Sequence, residues 1–486
     1  MAVMFFALIT LLLLDFTGTL HHWLGWMARI QFLPAVLALN AVVIICLVVA
    51  ALVFGRMYCS VICPLGVMQD VISWISGKRK GKRNRFSYSP AMNWLRWVML
   101  AVLVVALVLG MGSIAALIAP YSSYGRIVTN LFQPIYIWCN NALAAVAEHY
   151  ESYAVYNKEV WLRSLPTLIV AAVTFAVIAV LAWRHGRTYC NTICPVGTVL
   201  GQISRLSWLK IHFEADKCRN CGMCAKSCKA ACIDVENHKV DPTRCIVCGD
   251  CLDRCKFDAL HYGHPKSQPK PAAEETPDNA RRAVLLGSAI VAADVVLAQV
   301  GKKLDGGLAV VEYKTQPTRT TPITPPGSRS ARNMAAHCTA CQLCVQQCPN
   351  DVLRPSSGLA TLMQPTLSFE RGFCRPECNR CSSVCPTGAI MPIEIDEKSA
   401  IQIGHAVYLK QNCVIFTDEV SCGNCARHCP SGAIEMVPDD PNDDTSPMRP
   451  AVNKDKCIGC GACEYVCPAR PFSAIYVEGH LQHNTI

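Results

Sequence analysis

The 486-residue chain has no phosphate-binding glycine loop, no dinucleotide fingerprint and no nucleophile–base constellation. Nucleotide chemistry and hydride exchange with nicotinamide or flavin therefore have no motif to support them. The fragment Gly110, Met111, Gly112 falls inside an apolar segment, where helix packing explains it. Charge is scarce too: Asp, Glu, Lys and Arg make up 16% of residues against 52% hydrophobic ones. The net charge of +10 could suggest nucleic acid, but the basic residues gather beside hydrophobic segments, above all at Lys78, Arg79, Lys80, Lys82, Arg83 and Arg85. That distribution follows the positive-inside rule rather than a DNA-binding stripe, so nucleic acid is not expected as a partner.

Cysteine, by contrast, is abundant, with 31 residues. Disulfide-stapled secreted scaffolds are small, so a chain of this length does not fit that class. Six stretches carry four cysteines each. Cys218, Cys221, Cys224 and Cys228 follow C-x2-C-x2-C-x3-C spacing, as do Cys245, Cys248, Cys251 and Cys255. After a gap come Cys338, Cys341, Cys344 and Cys348, then Cys374, Cys378, Cys381 and Cys385. Cys413, Cys422, Cys425 and Cys429 follow, and Cys457, Cys460, Cys463 and Cys467 close the series; each of these last four motifs ends in Cys-Pro. This spacing matches a cubane [4Fe–4S] cluster, in which a close trio wraps one corner and the distal cysteine usually ligates the partner cluster. One tetrad could be a zinc site; six are read as six [4Fe–4S] clusters. The chemistry expected is one-electron transfer, with the protein setting cluster spacing and potential.

Four apolar segments are candidates for membrane helices: Ala2–Leu20, Ala35–Phe54, Trp94–Ile118 and Leu165–Trp183. Asp15 and the Thr17–Thr19 stretch interrupt the first, which is read as a retained helix because it has no charged flank of the signal-peptide kind. The segment from Arg56 to Asn93 is strongly basic and expected inside, while 119–164 is charge-balanced and expected outside. The N-terminus and the first two cluster motifs are then cytoplasmic. Arg281 and Arg282 precede the modest apolar run Ala283–Val300, which reads as a Tat-like fifth membrane helix that exports the last four motifs. The rival reading, favoured by Asp294, is an amphipathic helix on a cytoplasmic ferredoxin domain.

The fold class is thus an α-helical membrane domain of four helices plus a fifth, with α+β bacterial-ferredoxin-like domains. The expected division is a membrane domain over 1–211, a two-cluster domain over 212–264, a linker over 265–282, the fifth helix over 283–300, a linker over 301–330 and a four-cluster domain over 331–486. An internal repeat marks the membrane part. Arg56, Tyr58, Cys59, Cys63, Pro64 and Gly66 recur as Arg187, Tyr189, Cys190, Cys194, Pro195 and Gly197. Cys59, Cys63, Cys190 and Cys194 are read three ways: one further shared iron–sulfur cluster, a pair of redox dithiols, or structural thiols. Cys46 is expected to be a small buried hydrophobe.

Apolar helices, paired Cys-x3-Cys-Pro motifs and a cytoplasmic cluster pair resemble the NapH-type membrane ferredoxins and the membrane part of NosR-type proteins. The C-terminal third, with twin arginines and four cluster motifs, resembles the NapG/MauM-type polyferredoxins. The resemblance implies a bacterial inner-membrane protein that oxidises quinol and passes electrons to a periplasmic redox partner such as a cytochrome or reductase. A maturation factor for a periplasmic enzyme and a conduit from a cytoplasmic donor are the alternatives it leaves. Tyr121, Tyr124 and Arg126 head the polar groups searched as quinone contacts, with His21, His22 and His149 beside them. Lys229 and Lys256 stand where bacterial ferredoxins commonly have Pro, and Cys232 competes with the favoured Cys228 as fourth ligand. The resemblance also implies that the first and fourth outer motifs exchange their last cysteines, Cys348 and Cys467. The second and third would likewise exchange Cys385 and Cys429.

Overall fold

The computed structural model describes residues 1–78, 86–153, 155–264, 313–443 and 446–486. The twin arginines and the run Ala283–Val300 lie outside the described residues. Among the described residues one helix, Leu165–His185, is long and apolar enough to cross a membrane. The other three candidates form shorter helices, Ala2–Leu14, Ala41–Phe54 and Asn93–Val108. Each shortening has a local cause. The Asp15 carboxylate accepts hydrogen bonds from the backbone N–H of Thr17, Gly18 and Leu20, turning the chain out of the first helix. Leu39 adopts a positive φ, and Asn40 caps the new helix by accepting from the Val43 N–H. Gly110, at φ 71°, separates Asn93–Val108 from Gly112–Ile118.

The segment expected as an outer loop is largely helical. Pro120–Ile127 runs without interruption through a π-helical turn, Val128–Phe132, into Gln133–His149. Many apolar side chains on the helical part face outward, among them Val42, Val108, Trp138 and Val173.

Two small α+β units flank the helices at opposite ends of Leu165–His185. At its N-terminal end, Arg163 bonds Gln346, and Thr129 bonds Gln342. Beyond its C-terminal end, the Arg187 N–H donates to the Lys229 carbonyl, and Arg96 donates to Thr243. The unit with four cysteine motifs and the unit with two are thereby held on opposite sides of the helical part. Residues 315–330, expected as linker, pack onto the unit with four motifs: Arg319 pairs with buried Glu464 at 2.6 Å, and Leu367 N–H donates to the Ile323 carbonyl.

Candidate iron–sulfur relay

In most motifs the third cysteine sits on a one-turn helix and the fourth lies at or just beyond its end, as with Met223–Ser227, Leu343–Gln346 and Ala462–Val466. A short hairpin then returns the chain. The pair Ile233–Asp234 and Lys239–Val240 brings the Cys245 motif back to Cys228. Leu353–Pro355 with Pro365–Leu367 does the same for Cys374 and Cys348, and Ile434–Pro438 with Met448–Val452 for Cys457 and Cys429.

The resulting thiol sets cross between consecutive motifs. Cys338, Cys341 and Cys344 are joined by Cys385, while Cys374, Cys378 and Cys381 are joined by Cys348 around a cavity of about 350 Å³. Cys457, Cys460 and Cys463 gather with Cys429. Cys413, Cys422 and Cys425 gather with Cys467 around a cavity of about 370 Å³. The exchange implied by resemblance, first motif with fourth and second with third, is therefore corrected: Cys385 and Cys348 cross between the first and second motifs, and Cys429 and Cys467 between the third and fourth. On the opposite side, Cys245, Cys248 and Cys251 surround a cavity of about 300 Å³ with Cys228, and Cys224 lies by Cys218 and Cys255. Cys232 lines the same cavity as Cys228, with their sulfurs 3.6 Å apart, and is a fifth thiol that sequence spacing left outside the motif.

Backbone donors aim at the fourth sulfurs. The N–H groups of Ala259, Ile390, Ala433 and Ala474 lie 3.3, 3.5, 3.3 and 3.3 Å from the sulfurs of Cys255, Cys385, Cys429 and Cys467. Such donors stabilise thiolate, the form that binds iron. Among the described residues no group of three or more His, Cys, Asp or Glu side chains is set to hold a single metal ion. A cubane asks for a wider set, since each thiolate meets a different iron atom.

Between the two units lie Cys59, Cys63, Cys190 and Cys194, all buried. Burial pushes the Cys63 thiol up, and Cys190 and Cys59 add to the shift; Cys194 responds to the same neighbours. The two copies of the repeat face each other through exchanged arginines. Arg56 Nη2 donates to the Cys190 carbonyl at 3.3 Å, and Arg187 Nη1 donates to the Cys59 carbonyl. Both guanidinium groups are fully buried. Arg187 also grips Asp70 through two bonds of 2.8 and 2.6 Å. Burial alone would raise the Asp70 carboxyl, but Arg187 and Lys229 outweigh it and hold it below the usual range. Gly66 and Gly197 complete the pair of motifs: a Cβ at either would collide with the carbonyl of Cys59 or Cys190. Gln69 Nε2 donates to the Cys190 sulfur at 3.1 Å.

Residues beside the quartet link it directly to the unit that carries Cys245, and through Tyr189 and Arg126 toward Cys341. Arg56 donates to the Thr243 carbonyl at 2.7 Å, beside Cys245. On the other side Tyr189 reaches the Ile118 carbonyl, and Arg126 lies between Tyr189 and Cys341. Burial lowers the Arg126 guanidinium to about 10, against the pull of Tyr189 and Cys341, so it remains charged at neutral pH. Tyr121 and Tyr124 are also buried, Tyr124 sharing a 2.6 Å bond with Thr10. These three residues thus pack between helices and the Cys341 loop. Cys46, expected to be buried, is exposed on the apolar surface.

The 4Fe-4S binding domain family matches residues 36–83 and 166–214, and the 4Fe-4S dicluster domain family matches 420–470. These matches and the thiol sets define a ferredoxin-type iron–sulfur electron-transfer protein. Its relatives agree in kind: the chain is 25% identical over 229 residues to the Escherichia coli protein named "Putative electron transport protein YccM", covering 46% of this chain and 55% of that one. It therefore spans about half that relative's length. It is 28% identical to the E. coli ferredoxin-type protein NapH over 47% of this chain and 68% of that protein. With the E. coli ferredoxin-type protein NapG it shares 31% identity over 33% of this chain and 75% of that one. The chain belongs to the NapG/MauM ferredoxin-type family, with a NapH-like part fused to it.

Proposed function

We propose that this protein is a membrane-bound electron-transfer module that carries electrons between the quinone pool and an extracytoplasmic redox partner. The observation that supports it most is the buried quartet Cys59, Cys63, Cys190 and Cys194, joined by Arg56 to the Cys245 motif and neighboured by Tyr189 and Arg126 on the side of Cys341. Each of the six thiol sets would hold a [4Fe–4S] cluster and the quartet a seventh, supplying one-electron transfer. The residues fit that cargo: four sulfurs per set and backbone N–H donors at the fourth sulfur.

Neighbouring sets give the relay an order. The Cys224 set adjoins the Cys245 set through the exchanged Cys228 and Cys255; the quartet follows, then the Cys338 set. Cys344 senses the charge of Cys381, Cys460 that of Cys374, and Cys463 that of Cys425. The outward-facing apolar side chains would meet lipid, with the four-cluster unit outside and the two-cluster unit in the cytoplasm. The same continuity favours a second reading, a conduit from a cytoplasmic donor.

Stopped-flow reduction of the purified protein with a quinol analogue tests the first reading, with rapid bleaching of cluster absorbance expected. A topology reporter fused after Ile486, an exposed terminus, should report the outer side. A cytoplasmic signal would sink both readings.

A further inference from the structure

An open pocket lies between Gln133–His149 and the N-terminal end of Leu165–His185. Its lining mixes apolar Ile137, Leu162 and Leu168 with polar Gln133, Lys158, Glu159 and Arg163. Gln133 is 3% exposed, and its Nε2 has no hydrogen-bond partner although its Oε1 accepts from Arg163 at 3.4 Å. A buried amide donor left open in this way costs free energy that a ligand acceptor would recover. The π-helical turn Val128–Phe132 widens the helix here, a feature that favours function over regular packing.

The cavity also adjoins the relay. Arg163 bonds Gln346 at 3.1 Å, and both Arg163 and Lys158 feel the Cys348 charge. A ligand suited to this place has a flat head with oxygens and an apolar tail beside the membrane-length helix; a quinol there would become quinone by giving two electrons, one at a time, to the cluster that the Cys348 set would hold, and two protons to water in the open pocket. We propose that this cavity is the quinol site, with the Gln133 amide turning its Nε2 donor to one ring oxygen and Leu168 bordering the tail. The proposal rests on the quinol reading above but places the site away from Tyr121, Tyr124 and Arg126.

Photolabelling of the whole purified protein with an azido-substituted short-chain ubiquinone, followed by peptide mapping, tests the location. Label is expected on 129–137 and 158–168. Gln133→Leu should weaken binding of decylubiquinone about tenfold, the loss of one hydrogen bond. Leu168→Trp, which adds bulk to the lining, should weaken it as well. Iron content and dithionite-reduced spectra, unchanged in both variants, show that they fold. Label confined elsewhere, or unchanged affinity in both folded variants, overturns the site. If decylubiquinol still reduces the clusters in that case, the function stands and only the location falls. If the unaltered protein neither binds nor is reduced by decylubiquinol, the functional reading falls with it.

Discussion

At the scale of single residues, the exchanged arginines decide how the buried quartet behaves. A cation beside a cluster stabilises the added electron, so Arg56→Gln should lower the midpoint potential of the quartet's centre by tens of millivolts, read by EPR-monitored titration. Asp70→Asn leaves Arg187 buried with its main counter-charge removed and should cost about 3 kcal/mol, measured by thermal unfolding. The repeat was legible in the sequence, as were the cysteines. The reciprocity was not: nothing in Arg56 and Arg187 as letters says that each crosses to the other copy's carbonyl. Cys232 was visible as a rival ligand, yet only the fold places its sulfur beside Cys228.

Elements account for the larger differences. Helix lengths were overestimated because Asp15, Leu39 and Gly110 break apolar runs that hydropathy treats as continuous. Residues 119–164 are expected outside because their charges balance; that balance says nothing of the helices Pro120–Ile127 and Gln133–His149, whose apolar residues continue through Ile127, Val128, Leu131 and Ile135. The crossing of fourth cysteines is a matter of how the motifs pack, which motif spacing cannot reveal. Cys385→Ser should therefore alter the EPR signal of the Cys338 set, and Cys467→Ser that of the Cys413 set. An unaltered signal in either would reject the assigned crossing. The pair Ile401–Tyr408 and Ile475–Thr485 carries a histidine cluster. Burial, aided by His480, lowers His483 to about 4, against its ordinary 6.5. The neutral form thus supports the fold above pH 6.5, and that support falls away as pH drops toward about 4. His483→Gln should flatten the dependence of the unfolding temperature in that window.

For the whole molecule, the proposed relay would make the quartet a junction. Replacing Cys59, Cys63, Cys190 and Cys194 by Ser should reduce iron and sulfide by one cluster's worth while leaving both units loaded. Electrons introduced at one unit should then reach the other far more slowly, as followed by freeze-quench EPR. An unchanged metal count would return these thiols to a redox-dithiol or structural role. The two-unit organisation was readable from cysteine spacing alone, whereas their placement at opposite ends of one helix required the contacts of Arg163, Gln342 and Lys229. Because each fourth cysteine serves only the neighbouring motif, motifs are complete in twos. A lineage could lengthen such a protein by inserting a whole couple, whereas a single added or deleted motif would orphan a ligand on each side of the cut. The smallest heritable unit of this architecture is the couple, and change in its length comes in even steps.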